Sequence, residues 1–228
     1  NGQYFLTGST SQKVETPHTG TGRISDVTMY PMTLWETKES NGRISILEMF
    51  NNPNYDRDGL QSDIKLEDLF FAVCRGGWPG CLSIKSDAAK LEIAKDYFYQ
   101  ICNKDISALD KTERNSEWAR TILWSYARNM ATLAKKNVIY ADVKANYNVS
   151  DQTISSYIEA LVKLYIVKDI DAWTPQIRSK TAIRSAKKHI FVDPSIGMAA
   201  LGLAPEYFNN DLDLFGHVFE NLVLRDLL

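Results

Sequence analysis

The chain has 228 residues, 44% hydrophobic and 24% charged, which is typical of a water-soluble globular protein with a sizeable core. Its formal net charge of −2 excludes a protein that coats nucleic acid with a basic surface, so any DNA contact requires a local basic patch. We expect a cytoplasmic protein without membrane association, because no stretch approaches the roughly 20 apolar residues of a membrane span and the first residues do not resemble a signal peptide.

The first third of the chain is predicted to be extended and rich in turns. A short strand over residues 4–6 precedes a loop rich in Gly, Ser and Thr, and a second extended segment covers residues 24–34. A short helix is expected near residues 46–50, within a polar segment. A further helix over residues 65–73 is ended by the glycines of RGGWPG at residues 75–80, which cannot continue it.

Three helical segments are predicted next. Ser86 is a good N-cap for the first segment. The second segment has the strongest helical periodicity in the chain, with apolar residues that begin at Ala119 and end at Leu133.

The third segment predicts a helix-turn-helix. Residues 142–147 form its short first helix, residues 148–150 a polar turn, and Ser150 caps the second helix. Ile154, Ile158, Leu161 and Tyr165 share one face of that second helix. A strand follows directly, as a winged helix requires.

The second helix has two open interpretations. In the first, it enters a DNA major groove and turns four polar side chains toward the bases: Gln152, Thr153, Ser155 and Ser156. In the second, the winged helix packs against a protein partner or another copy of the chain. The charge of the helix disfavours contact with DNA, because its two acidic residues, Asp151 and Glu159, outnumber its one basic residue, Lys163.

A basic stretch follows Trp173. Between Ala172 and Val192 the sequence has no acidic residue, and its cations are Arg178, Lys180, Arg184, Lys187 and Lys188. These residues either anchor phosphates beside the helix or form a solvated basic loop. A strand over residues 189–192 and a terminal helix from about residue 213 complete the prediction.

Short motifs along nearly the whole chain resemble a family of prokaryotic AAA-type P-loop ATPases with a C-terminal domain of unknown function. In chain order they are GQYFLTGS, TGRI, YPMTLWE, ESNGRISILEMF, RGGWPG, YFYQICNKDI, the winged helix, KKHIFVDPSIG and GHVFENLVLRDLL. The resemblance implies three units. These are a C-terminal remnant of the ATPase core with its linker (residues 1–84), a helical winged helix-turn-helix domain (85–174), and the start of an endonuclease-like domain (175–228).

The resemblance also implies nucleotide contacts. Thr7 and Ser9 match a sensor position that reads the γ-phosphate, and Arg23 matches an arginine that contacts nucleotide. Ordinary turn chemistry for Thr7 and Ser9, and a surface ion pair for Arg23, are the alternatives. ATP and Mg²⁺ are implied for the parent protein, with no cofactor in this fragment.

The phosphate-binding glycine loop is absent from the sequence. It contains no GxxxxGK[ST], and none of its 12 glycines precedes a lysine. Because sensor residues cannot replace that loop, we expect a fragment that does not hydrolyse ATP by itself. The apolar residues at both ends likewise predict a chain that continues beyond them.

The endonuclease-like tail is expected to be incomplete. Lys187 and Lys188 with Asp193 match its opening elements, and Glu220 matches a position that would join later acids around a metal. In this fragment Glu220 is expected to be an ordinary polar helix residue, and Arg225 and Asp226 to be surface charges.

The cysteines and histidines do not predict a metal site. Three cysteines are an odd count, which favours reduced thiols. They are not spaced as zinc ligands.

The predicted elements and the resemblance together imply an α+β, helix-rich fold. Its parts would be an ATPase-core remnant, a winged helix-turn-helix domain and an incomplete endonuclease-like α/β tail.

Overall fold

The computed structural model of the chain describes residue 25, residues 27–173 and residues 185–228. Within them the protein is helix-rich with one small antiparallel sheet, so the broad α+β class predicted from the sequence is confirmed. No helix in this part of the chain is long and apolar enough to cross a membrane.

A segment that contains a hydrogen-bonded turn at residues 34–38, the N-terminal strap (residues 30–40), lies against three later parts of the chain. The backbone N–H of Met32 donates to the carbonyl oxygen of Gly77 at 2.7 Å. Lys168 donates to the Tyr30 hydroxyl at 2.8 Å, and Arg75 donates to both carboxylate oxygens of Glu39 at 2.6 and 2.9 Å. These bonds fix the strap to the domain that follows it.

The first helices surround the RGGWPG turn. Helix α1 (Ile46–Asn51) has no buried residue. Helix α2 (Leu66–Arg75) buries Phe70 and residues 72–75 in its second half. Gly76 ends α2 with a φ of 79°, a conformation that favours glycine. A 3₁₀ turn (Pro79–Ser83) then leads into α3 (Asp87–Gln100).

Helix α3 is capped by Ser86, as predicted, because the Ser86 hydroxyl accepts from the Ala89 N–H. A π turn (Ile101–Asp105) and the short helix α4 (Ile106–Ala108) extend it. The prediction for the next helix is too long: α5 (Ser116–Arg128) ends before Leu133, which is 61% exposed. Periodicity alone does not show this end, because Met130 lies beyond the helix and is still buried.

The predicted helix-turn-helix corresponds to two helices, α6 (Lys136–Lys144) and α7 (Asp151–Lys163). The first helix therefore starts earlier than predicted. The prediction that Tyr165 continues the buried face of α7 is wrong, because its φ is 57° and it is 59% exposed. The Ile166 N–H donates to the Leu161 carbonyl oxygen at 2.9 Å, so a Schellman-type turn ends the helix here.

Strands β1 (Val167–Ile170) and β2 (Lys188–Phe191) pair antiparallel and form what we call the ribbon. Val167 is paired with Phe191, and Ile170 with Lys188. Helix α8 (Pro194–Leu201), a second 3₁₀ turn (Pro205–Asn209) and α9 (Leu212–Leu227) follow. The terminal helix agrees with the prediction.

Helix α8 lies in the centre of the protein and packs against α2, α3 and α5. Gly197 permits this close approach, because a Cβ there would lie 2.2 Å from the Met130 methyl group. One hydrophobic cluster runs from Phe70 on α2 to Leu222 on α9. The core thus crosses both expected domain boundaries, near residues 84 and 174, and the division into three units stays a prediction.

Candidate functional site

The helix-turn-helix and the ribbon form one continuous feature. The Ser150 hydroxyl caps α7 by accepting from the Thr153 N–H at 3.1 Å. Ile154, Ile158 and Leu161 anchor the helix to the core, as predicted. The opposite face of α7 is left on the surface, and the ribbon follows the helix after a three-residue turn.

The four polar side chains predicted to face outward on α7 differ in exposure. Gln152 and Ser156 are exposed, whereas Thr153 and Ser155 are half-buried. The Thr153 hydroxyl lies 2.9 Å from the Ser150 hydroxyl, and the Ser155 hydroxyl donates to Glu159 at 3.3 Å. Gln152 and Ser156 are therefore the pair best placed to reach a ligand.

Three of the basic side chains around this feature are paired with carboxylates. Lys144 lies 2.5 Å from Asp151 at the start of α7, and Lys187 lies 2.8 Å from Asp171. The bond to Asp171 raises the pKa of Lys187. Lys188 pairs with Glu220 on α9. These pairs lower the positive charge that the described part of the ribbon offers to a ligand.

Several predicted site residues lie outside the described residues. The nucleotide-contact candidates are Thr7, Ser9 and Arg23. The phosphate-anchor candidates are Arg178, Lys180 and Arg184.

Glu220 is not brought together with Asp193, the other acidic residue of the expected nuclease-like tail. Glu220 is partly exposed and paired with Lys188, whereas Asp193 is fully buried. Within residues 27–173 and 185–228, no three His, Cys, Asp or Glu side chains form a group that could hold a metal ion.

A buried polar cluster centred on Asp193 escaped the sequence prediction. One Asp193 oxygen accepts from the Ser195 N–H at 2.9 Å and caps α8, while the other accepts from the Gly77 N–H at 2.8 Å. Arg225 donates to that second oxygen at 2.9 Å. Its neighbour Asp226 accepts from the strap at the Leu34 N–H, 3.0 Å away.

The expectation that Arg225 is a surface charge is wrong, because only 2% of the residue is exposed. A helical arginine near a chain end gives no sequence signal of burial when its partner lies far away in the chain. The available hint was Asp193 before Pro194, since an acidic residue before Pro is typical of a helix N-cap.

Burial by itself would lower the pKa of Arg225. The neighbouring carboxylates of Asp193 and Asp226 outweigh this effect, so the pKa of Arg225 is raised and the guanidinium stays charged.

Comparison with known families gives a match to part of the chain. Residues 66–207 match the family described as "Domain of unknown function (DUF8612)". The chain belongs to this family. No curated protein and no solved structure matches the chain.

The DUF8612 match begins at α2 and ends within the second 3₁₀ turn. It therefore contains the helix-turn-helix, the ribbon and Asp193 of the buried cluster. The strap and α9, which supply Glu39, Arg225 and Asp226, lie outside the matched residues. The buried cluster thus joins the DUF8612 region to the segments on either side of it.

Proposed function

We propose that this chain is the regulatory arm of an AAA-type ATPase and that its helix-turn-helix and ribbon contact duplex DNA. The observation that carries the proposal is the order of elements: two helices joined by a tight turn, a capped second helix with an exposed polar side, and an antiparallel ribbon. This order supports a winged helix, in which the second helix would enter the groove.

The ATPase part of the proposal rests on the sequence resemblance. Thr7, Ser9 and Arg23 would contact nucleotide bound by a glycine loop that this sequence lacks, so ATP and Mg²⁺ belong to the parent protein and this fragment is proposed to be catalytically inactive. The strap follows these residues and is bonded to β1 through Tyr30 and Lys168. A change at the nucleotide would reach the ribbon along this path. The tail after residue 175 is proposed to begin an endonuclease-like domain.

DNA binding would combine two kinds of contact. Gln152 and Ser156 are exposed near the start of α7 and would reach base edges. Positive charge would come from Arg178, Lys180 and Arg184 in the connection between the strands, because Lys187 and Lys188 are already paired. Phosphate contacts supply most of the non-specific affinity for DNA.

A fluorescence anisotropy titration of a labelled DNA duplex tests this proposal. Three phosphate contacts predict that log K falls with log salt with a slope of about −3. Charge reversal of Arg178, Lys180 and Arg184 to Glu should abolish that slope. A matched control reverses Arg43, Arg57 and Lys65, exposed residues in the segment between the strap and α2. If low salt gives no binding, or both triple variants bind equally well, the nucleic-acid part is wrong.

A second candidate is a protein-interaction module in which the winged helix docks on a partner or a second copy. The charge of α7 favours it, because Asp151 and Glu159 outweigh Lys163 on a helix that would face a polyanion. The exposed Trp124 and Val162, each 42% exposed, also suit a protein contact. Light scattering of the purified chain tests self-association directly: a dimer supports this candidate, and a strict monomer at high concentration removes the self-docking form.

A further inference from the structure

His189 on β2 is 3% exposed, and both of its ring nitrogens face oxygen atoms. Nδ1 lies 2.6 Å from a carboxylate oxygen of Asp169 on β1. Nε2 lies 2.7 Å from the backbone carbonyl oxygen of Ala134, in the connection between α5 and α6. Both oxygens are acceptors, and neither can donate a proton to the ring when Asp169 is ionised.

A neutral imidazole beside an ionised Asp169 cannot satisfy this arrangement. It carries one N–H, so one nitrogen would turn its lone pair toward an oxygen less than 3 Å away. Rotating the ring by 180° about its bond to Cβ places carbon atoms against both oxygens and makes neither hydrogen bond. Only the imidazolium, with two N–H groups, donates to both.

We propose that the doubly protonated side chain of His189 acts as a pH-responsive latch that fastens the ribbon to the connection between α5 and α6. In the closed state one proton is donated to β1 and the other to Ala134. When the ring loses the second proton, one of these bonds is replaced by repulsion between lone pairs. The ribbon then loses a side-chain attachment to the helical core.

Charged and titratable groups from each neighbouring element define the environment of the ring. Asp169 supplies the negative charge from β1, and Lys136 of α6 lies 3.9 Å from its other oxygen. Burial alone would raise the pKa of Asp169, but the hydrogen bond and charge of His189, helped by Lys136 and Lys187, lower it. The Asp169 carboxyl is therefore ionised wherever the latch operates.

Helix α5 contributes a tyrosine at the same place. The Tyr126 ring meets the imidazole edge to face, with centroids 5.3 Å apart. Its hydroxyl is buried without a hydrogen-bond partner, and burial, with Asp169 and Tyr140 nearby, raises the pKa of Tyr126. The tyrosine therefore stays neutral and leaves Asp169 as the counter-ion of the imidazolium.

Backbone bonds at the same position show what the latch supports. The Ala131 N–H donates to the His189 carbonyl oxygen at 2.8 Å, and the backbone N–H of His189 donates to the Thr132 carbonyl oxygen at 3.4 Å. The side chain and the backbone of one residue thus hold the ribbon against residues 131–134. This inference concerns the attachment of the ribbon, so it is tested without DNA or any other ligand and does not depend on the proposed function.

Nitrogen-15 NMR of histidine-labelled protein tests the protonation state in the unaltered chain. At about pH 6, within the range in which histidine charges, both ring nitrogens of His189 should show the shifts of protonated nitrogen. A single protonated ring nitrogen throughout the range of about pH 5 to 8 would overturn the proposal, because the latch requires both.

Amide hydrogen exchange tests the consequence for the ribbon. When His189 loses its second proton, exchange at residues 168–170 and 188–191, corrected for the intrinsic rate, should accelerate about tenfold, as expected for the loss of one charge-assisted hydrogen bond. His189→Gln should remove this pH step. His217→Gln, at an exposed position on α9, is the matched control and should leave the step unchanged. Corrected exchange that stays constant while the ring titrates would contradict the latch.

Discussion

Arg225 and Asp193 form an ion pair of 2.9 Å in the interior of the protein, with side chains 1% and 0% exposed. The arginine comes from the last turn of α9 and the aspartate from the cap of α8. Because Asp193 also accepts from Gly77, and Asp226 binds the strap, this pair joins four segments that are distant in the sequence. It fixes the strap and α9 to the domain that carries the ribbon.

Replacing Arg225 should destabilise the protein strongly. Arg225→Met keeps an apolar chain of similar length but leaves the Asp193 carboxylate buried without its cation, a change that costs about 3–5 kcal/mol. Arg57→Met, at an exposed position, should cost less than about 0.5 kcal/mol. Urea denaturation measures both. Equal midpoints for the two variants would mean that the buried pair is not needed for stability.

Gly77 should not tolerate a side chain. A Cβ at this position would lie 2.1 Å from the Met32 carbonyl oxygen, which belongs to the strap backbone. Gly77→Ala should therefore displace the strap and cost about 1–3 kcal/mol, as overpacking does. Limited proteolysis should detect faster cleavage within residues 30–40. Gly80→Ala is the control, because the nearest atom to its added Cβ is 3.8 Å away in the Ile93 side chain; similar cleavage of both variants would refute the steric account.

The attachment of the strap should weaken in acid. Burial by itself would raise the pKa of Glu39, but hydrogen bonds from Arg75 and Thr37 outweigh it and lower the pKa. A lowered folded-state pKa stabilises the protein above the unfolded value of about 4.3, and this contribution is lost as the pH falls through the folded value. When the free energy of unfolding is measured against pH, it should fall less steeply in acid for Glu39→Gln than for the parent. Glu113→Gln, at an exposed position, should retain the parent slope.

The three cysteines should be unreactive while the protein is folded. All are free and buried, and burial raises the pKa of Cys74 and of Cys102 to about 12 and also raises that of Cys81. Because the thiolate is the reactive form, iodoacetamide at about pH 8 should leave the native chain unlabelled over a time in which the urea-unfolded chain takes up three labels. Rapid native labelling at Cys81, which lies in the 3₁₀ turn, would show that this turn opens readily.

Local signals in the sequence predicted the cap and the buried face of α7 well. Ser150 caps α7, and Ile154 and Ile158 are buried, because N-caps and apolar spacing act over a few residues. Tyr165 was misplaced because the same spacing continues beyond the residue at which the backbone turns into the strand. Periodicity identifies the face of a helix better than its end.

Long-range relationships could not be predicted in the same way. The sequence predicts that Arg225 lies at the surface. Its burial depends on an ion pair with Asp193, the N-cap of α8, and spacing along α9 does not show this partner. The pairs of Lys187 with Asp171 and of Lys188 with Glu220 likewise changed which basic residues remain as candidates for phosphate contact. Composition showed that these cations exist, but only the fold shows which carboxylates they meet.

The central proposal, that α7 and the ribbon form the DNA-binding surface, is tested most directly by a hydrogen-exchange footprint with and without a short duplex at low salt. Added duplex should slow exchange in residues 151–157, 167–170 and 188–191 and leave α9 unchanged. Protection confined to α9, or unchanged exchange throughout the chain at saturating duplex, would contradict it.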